Sequence, residues 1–432
     1  MTSRDAVEPS ASFGWFHNRW TTLGLFALLS LVCYIDRFVL GALLTPLKAA
    51  LALTDEQLGR LNVVFTLTYV FIVPLAGYLG DRFRRKWFVF ASLVFWSAAT
   101  IGSGFARDFR ELLFWRASVG FGEGVFSSLA LSWIADTFSP ARRSSAFGVI
   151  MSSSQIAAWI AYHYGGKIAA ESGWSHAFFI AGLPGLVLAL GVPLLREPPP
   201  GASEPEPRAA RSKPGWPEIR GFVLEPRYVL YVLGYMIRML AVSGLFFWGA
   251  VYLHREYGVP NKDATSFIGS AYLLTGVPGI FIGSHLAGRL ARKVVGAYAF
   301  WLGAGEVLSG SFVLVVLSWH APLATAEGLI LAQMFFAGSS WGVINPLLFE
   351  FAPVRLRSVA ASLALAVSSV GSTFLSSQLI GFVSDRAGIR VALFLVPLGY
   401  FVAALVWLLL GLRQRKTADD GHAEPVPALG IT

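Results

Sequence analysis

Residues 77–86 read Gly77-Tyr78-Leu79-Gly80-Asp81-Arg82-Phe83-Arg84-Arg85-Lys86, a charged knot between two long apolar stretches. The stretches on either side, 57–80 and 87–106, each hold about the 20 residues a helix needs to cross a hydrocarbon core of roughly 30 Å. Working outward, the same pattern marks 20–47, 111–137, 142–168 and 174–195, then 227–253, 264–290, 295–318, 322–349, 358–384 and 389–412. The expectation is therefore an all-α membrane protein with 12 transmembrane helices in two six-helix halves. Pro74 falls inside one span, which a bundled membrane helix tolerates.

Composition agrees. Of 432 residues, 55% are hydrophobic and 14% charged, and the mean hydropathy is +0.61, more apolar mass than one soluble core of this size hides. Gly (44), Phe (34) and Trp (14) suit close helix packing in lipid with aromatic anchors at the interfaces. The net charge of +9 sits in short clusters between apolar runs, which is topology information and not a nucleic-acid surface. Cys33 is the single cysteine, so an intrachain disulfide framework, a thiolate metal cluster and Cys-x-x-Cys redox chemistry are excluded. Met1–Phe16 lacks a signal-peptide pattern, and the first span is expected to insert uncleaved.

Basic clusters at Arg82–Lys86, Arg142–Arg143 and Arg289–Lys293 share one side, joined by the basic residues of the central linker. The other side carries a sparser set, including Lys48, Arg60 and Arg255. The positive-inside bias assigns both termini to the cytoplasm. Glu197–Pro217, rich in proline and charge, cannot bury enough apolar surface to fold alone and reads as a linker. The expected organisation is a cytoplasmic tail 1–19, a bundle 20–195, a linker 196–226, a second bundle 227–412 and a tail 413–432. A repeat supports it: Asp136 with Arg143-Ser144-x-Ala146 recurs as Glu350 with Arg357-Ser358-x-Ala360, 214 positions on. Arg82-x-x-Arg85-Lys86 recurs as Arg289-x-x-Arg292-Lys293, 207 positions on. Two such matches at similar offsets, both at helix ends, point to a duplicated unit.

Two six-helix halves, a cytoplasmic linker and the Gly77–Lys86 loop together resemble the major facilitator superfamily. Within it, Tyr34-Ile35-Asp36-Arg37-Phe38-Val39-Leu40-Gly41, and Arg116 to Gly124 followed by Ile134-Ala135-Asp136, resemble the Spinster-like branch. Gly165-Gly166, Gly173-Trp174 to Phe178-Phe179 and Gly182 to Gly185 fit it too. The chain departs from that branch at Ala130-Leu131-Ser132, where a proline is frequent, and at Gly288, where the repeated loop would carry an aspartate. The resemblance spans Trp20 to Arg413 and implies transport by alternating access, with Asp36, Glu123 and Arg116 tied to it.

Six charged residues fall well inside spans: Asp36, Arg37, Arg116, Glu123, Arg238 and Glu306. An unpaired central Asp, Lys or Arg costs roughly 2.5–3.5 kcal/mol, so partners or a water-filled cavity are expected. Asp36 and Glu123 lie at similar depth on oppositely directed helices. Arg116 and Glu123 are two turns apart, about 10.5 Å along one face. Two readings are open. Asp36 and Glu123 form a proton-coupling pair, in which one carboxylate is forced to keep its proton; or all four residues, with Arg37 nearest Asp36, form a static ion network. Arg238 offers the second half's positive charge to an anionic headgroup, or pairs with Glu306, whose span is expected at the periphery.

Gly77, Gly80, Asp81, Arg82 and Arg85 read as a cytoplasmic gate latch, with Arg82 and Arg85 reaching Asp136 beside Arg143. Glu350 with Arg355 or Arg357 is the expected counterpart; the alternative is that the basic residues serve topology only. Phe246, Phe247, Trp248, Phe335, Phe336 and Trp341 either line an amphipathic cavity or pack helices. His163, His254 and His285 have no metal-site spacing, and neither metal nor other cofactor is expected. Without a P-loop, ATP-driven transport is disfavoured, and no arrangement of a catalytic enzyme appears. The leading reading is a monomeric, proton-coupled secondary transporter of the bacterial inner membrane for an amphipathic, lysolipid-like molecule, with protons and the bilayer as its other partners. A proton-coupled organic-anion or sugar-acid symporter is the alternative, in which Arg37, Arg116 and Arg238 hold a carboxylate.

Overall fold

The computed structural model describes residues 18–199, 202–203, 215–319, 322–353 and 355–419, without the side chains of Asp81, Pro140, Ala141, Ser144, Ser358 and 417–419. Most of the expected tails 1–19 and 413–432, part of the linker 196–226, and the Asp81 carboxylate of the expected latch lie outside the described residues.

Among the described residues every regular element is helical. Helix α1 (Arg19–Ala42) breaks at Leu43 into the short α2 (Leu44–Leu51), so the stretch expected as one span over 20–47 is two helices. Then come α3 (Asp55–Arg82), α4 (Arg85–Ser103), α5 (Phe109–Thr137), α6 (Pro140–Ser172) and α7 (Trp174–Ala189). The linker region holds α8 (Trp216–Val223), which tucks Phe222 against Tyr228. The second series is α9 (Pro226–Tyr257), α10 (Asn261–Ala271), α11 (Val277–Ala291), α12 (Ala297–Trp319) and α13 (Leu323–Trp341). It closes with α14 (Ile344–Phe351), α15 (Arg357–Thr373), α16 (Ile380–Ala387), α17 (Ile389–Ala392) and α18 (Leu395–Asp419). Two π-helical segments, Tyr272–Gly276 and Phe374–Leu379, join α10 to α11 and α15 to α16. Such insertions re-aim side chains and gather at functional places.

Eight helices are long and apolar enough to cross a membrane by length and composition. The stretches around α4, α5, α6 and α13 fall short of that measure. The reason is visible in their side chains: α5 carries Arg116 and Glu123, and α6 carries Ser152-Ser153-Ser154-Gln155, His163 and Lys167. Polar residues needed inside the bundle lower the hydropathy of the helices that bring them.

Local signals set several ends. Thr54 and Gln57 form a reciprocal capping box at the start of α3, and the Asp108 carboxylate accepts the Glu111 amide at 2.9 Å to start α5. Gly173 (φ 90°, ψ 155°) turns α6 into α7, and Gly388 (φ 86°, ψ 158°) turns α16 into α17. A side chain rarely adopts this backbone geometry, and the two glycines stand 215 positions apart, beside the 214 of the sequence repeat.

The buried apolar residues explain how the series are joined. One core runs through both: Val39 to Leu47, Leu58 and Leu61 of the first, with Leu245, Trp248, Leu253, Ile268 and Val396 of the second. It lies at the end of the bundle away from the start of α1 and the end of α18. At the terminal end there are two separate cores, one around Phe26, Trp96, Trp133 and Ile150, the other around Tyr231, Leu302, Leu347 and Trp407. The molecule is thus knitted at its distal end and divided at its terminal end.

Candidate functional site

Helices α1, α4 and α5 bring four charged side chains and one hydroxyl together. Asp36 and Arg37 are neighbours on α1, and the ~100° turn between successive helical residues aims them at different partners. Arg37 points to Glu123, donating from Nε (3.2 Å) and Nη2 (2.8 Å) to the same oxygen, Oε2. Asp36 instead meets Arg116, with Oδ1 3.6 Å from Nη1, and accepts a short hydrogen bond from the Thr100 hydroxyl of α4. Asp36, Arg116 and Glu123 are fully buried, whereas the Arg37 side chain keeps 24% exposure. Aromatic faces supply what carboxylates do not. Arg37 lies over Tyr69 (4.6 Å) and Phe65 (5.3 Å), and Arg116 lies over the same Phe65 at 4.9 Å.

The cluster balances in charge but not in hydrogen bonds. Asp36 Oδ1, Glu123 Oε1 and all three nitrogens of the Arg116 guanidinium have no hydrogen-bond partner among the described residues. Buried charges are tolerated when paired, and strongly so only when their remaining lone pairs and protons are also satisfied. This group meets the first condition and not the second, so its pairings can be exchanged at small loss.

The second series has its own buried pair. Arg238 of α9 places Nε 2.7 Å from Glu306 Oε1 of α12 and donates from Nη2 to the Ala337 carbonyl at 2.6 Å; both side chains are fully buried. The guanidinium also borders a cavity of about 70 Å³ between the series, lined by Gln155 of α6 and by Phe246, Tyr272, Gln333 and Trp341.

At the distal end, Asp55 accepts from Arg255 of α9 (2.5 and 2.7 Å), Lys48 of α2 (2.6 Å) and Ser384 of α16 (2.6 Å). Asp385 returns the contact, accepting the backbone amides of Asp55 and Glu56 at 2.8 Å each, an acidic cap on the positive end of α3. Backbones meet closely here: a Cβ on Gly381 would strike the Asp55 carbonyl, and one on Gly59 would strike Ser377. Farther in, Asn62 donates to Ser377 (2.8 Å) and Tyr162 to the Phe246 carbonyl (2.9 Å).

At the terminal end several ties run within the first series and its linker. Arg85 binds Asp136 (2.6 Å), Ser132 (2.7 Å) and the Pro198 carbonyl (2.8 Å), and its own amide donates to Glu197 at 2.8 Å. Gly80 abuts Leu129 of α5, and Gly77 faces Ser128. Arg143 donates to Ser203 at 3.0 Å, and Ser203 donates to the Ala135 carbonyl.

A profile described as Major Facilitator Superfamily matches residues 26–374. Protein spinster homolog 1 of Rattus norvegicus is 30% identical over 384 residues, covering 83% of this chain and 71% of the relative. The chain belongs to the major facilitator superfamily, in its Spinster-like branch. Protein spinster homolog 1 of Xenopus tropicalis is 28% identical over 378 residues, with the same coverage. Among solved structures, a bacterial homolog to the human lysosomal transporter Spinster, in an inward-facing and unoccupied conformation, superposes with a TM-score of 0.85. It covers 97% of this chain and all of its own at 21% identity, a likeness of fold.

Seen as a Spinster-like carrier, the chain brings Asp36, Arg37, Arg116 and Glu123 together, but crosses their pairing. Arg37 joins Glu123 rather than Asp36, and the two carboxylates are held by separate arginines. Arg238 does pair with Glu306, the second of the two readings, which brings Glu306 in from the expected periphery to the buried interior. Arg82 stacks on Tyr78 at 4.4 Å, while Arg85 is the arginine on Asp136. Glu350 is not met by Arg355 or Arg357. It accepts from Gln414 of α18 at 3.0 Å, while Arg357 donates to the Phe349 and Ala352 carbonyls and caps the break before α15. Of the aromatics, Phe246 and Trp341 line the cavity, and Trp248 is buried with its ring N–H on the Ser376 carbonyl. His163 meets Ser266 and Lys167, and His254 the Val259 carbonyl, as packing residues do.

Sequence reasoning missed the Asp55 latch. Thr54-Asp55-Glu56-Gln57 reads as a helix start, which it is, and that reading hides the carboxylate that leaves the helix to bind residues 200 and 329 positions away.

Proposed function

We propose that this chain is a proton-coupled secondary transporter that moves an amphipathic, lysolipid- or sphingoid-like molecule by alternating access. The observation that carries the reading is the under-bonded group Asp36, Arg116, Arg37 and Glu123, buried in a bundle whose two cores separate at one end. A group that must swap partners between states needs charges that are paired but not saturated. The cavity wall joins Phe246, Tyr272 and Trp341 to Arg238 and Gln333, the apolar and cationic chemistry that the anionic head and first carbons of an amphiphile would meet.

The same proposal includes twelve crossings in two six-helix units at 20–195 and 227–412, with both termini cytoplasmic. The equal backbone geometry at Gly173 and Gly388 supports the duplication, and the clustered arginines and lysines support the orientation. In that orientation the terminal end opens to the cytoplasm, and the Asp55 latch and shared core close the outside. Arg85 with Asp136 then holds its own half rigid beside the cleft. The carrier works as a monomer in the inner membrane of a bacterium.

Proteoliposome flux tests this. Lysophospholipids and phosphorylated sphingoid bases should move, faster under an imposed pH gradient, and Glu123→Gln should abolish the gradient's effect. Uptake of a sugar acid or another small carboxylate in place of the lipids would select the organic-anion symporter instead, and absence of flux for all of them would sink the transport reading.

A further inference from the structure

Glu306 has no part in the mechanism so far, yet its surroundings are not those of a packing residue. Its carboxylate is fully buried on α12, 2.7 Å from Arg238 Nε, and neither oxygen has a well-formed hydrogen bond among the described residues. Arg238 Nε and Nη1 are equally without one, since only Nη2 donates, to the Ala337 carbonyl. The pair is held by charge and proximity alone.

Arg238 stands between Glu306 and the cavity. The guanidinium borders the cavity beside Trp341, whose ring lies 5.1 Å away, while Glu306 does not reach the cavity wall. Gln333, also on that wall, donates its amide to the Tyr400 hydroxyl at 2.7 Å and leaves its buried carbonyl oxygen unpartnered. An anionic head in this cavity would meet one guanidinium that already has a counter-ion behind it. A phosphate or carboxylate accepts two parallel N–H bonds from a guanidinium, a better arrangement than the single close contact Glu306 makes. Once Arg238 turns to the ligand, Glu306 is a buried anion without a cation, a state that a carboxylate relieves by taking a proton. Among the described residues, the charged or titratable groups that act on Glu306 are Arg238 of α9 and the Tyr400 hydroxyl of α18. Helices α11, α13 and α14 bring none to it.

Resting on the transport reading above and deepening it, we infer that Glu306 is the exchangeable counter-ion of the second half: an anionic headgroup takes Arg238 from it, and Glu306 binds one proton as it is released. The proton comes from water in the cavity and adds to the carboxylate oxygen; no covalent bond to the ligand forms. The substrate class narrows accordingly, to amphiphiles whose head carries a phosphate or carboxylate.

Two measurements on the full-length protein in lipid nanodiscs test this. The first needs no substrate. In infrared difference spectra, Arg238→Gln should show a protonated-carboxyl band absent from the unaltered protein, and Arg238→Gln with Glu306→Gln should lose it. The second uses oleoyl lysophosphatidate as the probe. Its affinity for the unaltered protein should rise as the pH falls, approaching about tenfold per pH unit for one linked proton, and Glu306→Gln should bind at least as tightly with a flatter pH profile. An equal pH profile in Glu306→Gln, or no carboxyl band in Arg238→Gln, overturns the inference. If Glu306→Gln does not fold, the unaltered protein decides alone, and a pH-independent affinity refutes the linkage. Appearance of the band without any lysophosphatidate binding supports the counter-ion and rejects the lipid substrate, so the two readings fail separately.

Discussion

At the distal end Asp55 accepts from two arginine nitrogens, a lysine and a serine, whereas at the centre of the first series Glu123 has partners on one oxygen only and Arg116 on none of its nitrogens by hydrogen bonding. Both carboxylates are fully buried, and both face arginine. The difference lies in saturation. A carboxylate with its lone pairs filled gains nothing by changing partners, so Asp55 is built to hold two elements together until something breaks the set. A carboxylate with an idle oxygen exchanges one partner for another at little loss, which is what a step between two states requires.

The comparison breaks first at Glu123. Glu123→Gln keeps shape and hydrogen-bonding capacity while removing the titration, so pH-driven accumulation in proteoliposomes should fall at least about tenfold, within the usual range of site coupling. Exchange at equal pH on both sides should survive. Full retention of the gradient response would move the coupling role to Asp36. Next in size is Arg116→Met, which strips Asp36 of its paired cation. The expected destabilisation is about 3–5 kcal/mol, the range for a buried pair broken on one side. Adding Asp36→Asn to that variant should recover most of the loss in thermal melts, and failure to recover would show that Arg116 matters through packing on Phe65 and not through charge.

How much of this was legible beforehand follows from the same residues. Intramembrane charge is rare enough that Asp36, Arg37, Arg116 and Glu123 announce themselves, and helical rise places Asp36 and Glu123 at similar depth with Arg116 two turns away. Which arginine meets which carboxylate depends on helix rotation and on the aromatic faces of Phe65 and Tyr69, and neither is written in spacing. Asp55 is invisible for another reason: at a helix start an acidic residue is already explained, and its partners Arg255 and Ser384 come from distant parts of the chain. The pairing of Glu306 with Arg238 was legible as one of two readings, and choosing between them needs the rotation of α9 and α12 toward each other. The Gly77–Lys86 loop was legible as a pattern and Arg85 meets Asp136 there, but that Arg82 would stack on Tyr78 instead of joining them depends on side-chain packing that spacing does not show.

Two smaller effects sharpen the comparison. Asp55→Asn should weaken the distal latch by about 1.5–3 kcal/mol, the value of hydrogen bonds to a charged group. A cysteine placed at Thr373, in a Cys33→Ala background, should then label faster from outside proteoliposomes; an unchanged rate would mean that the apolar core, not Asp55, keeps that end shut. The smallest effect belongs to Glu350, whose hydrogen-bonding side-chain partner among the described residues is neutral Gln414. Burial raises its carboxyl from the ordinary range to about 7. Because the folded state holds this proton more tightly than the unfolded chain, stability contributed by the neutral form is present at low pH and is lost as pH rises to about 7. Glu350→Gln should therefore raise the melting temperature at pH 8 and leave it unchanged at pH 4, and equal shifts at both would exclude ionisation as the cause.

Helix α1 starts and α18 ends on the divided side of the bundle, one beside each core. The two tails are therefore the handles of a pair of tongs hinged at the far side. Pulled apart in a single-molecule force experiment, they would prise the cleft wide at low load and meet serious resistance only when the tension reaches the common distal core. Stapled to each other by a short tether, they would hold the jaws closed.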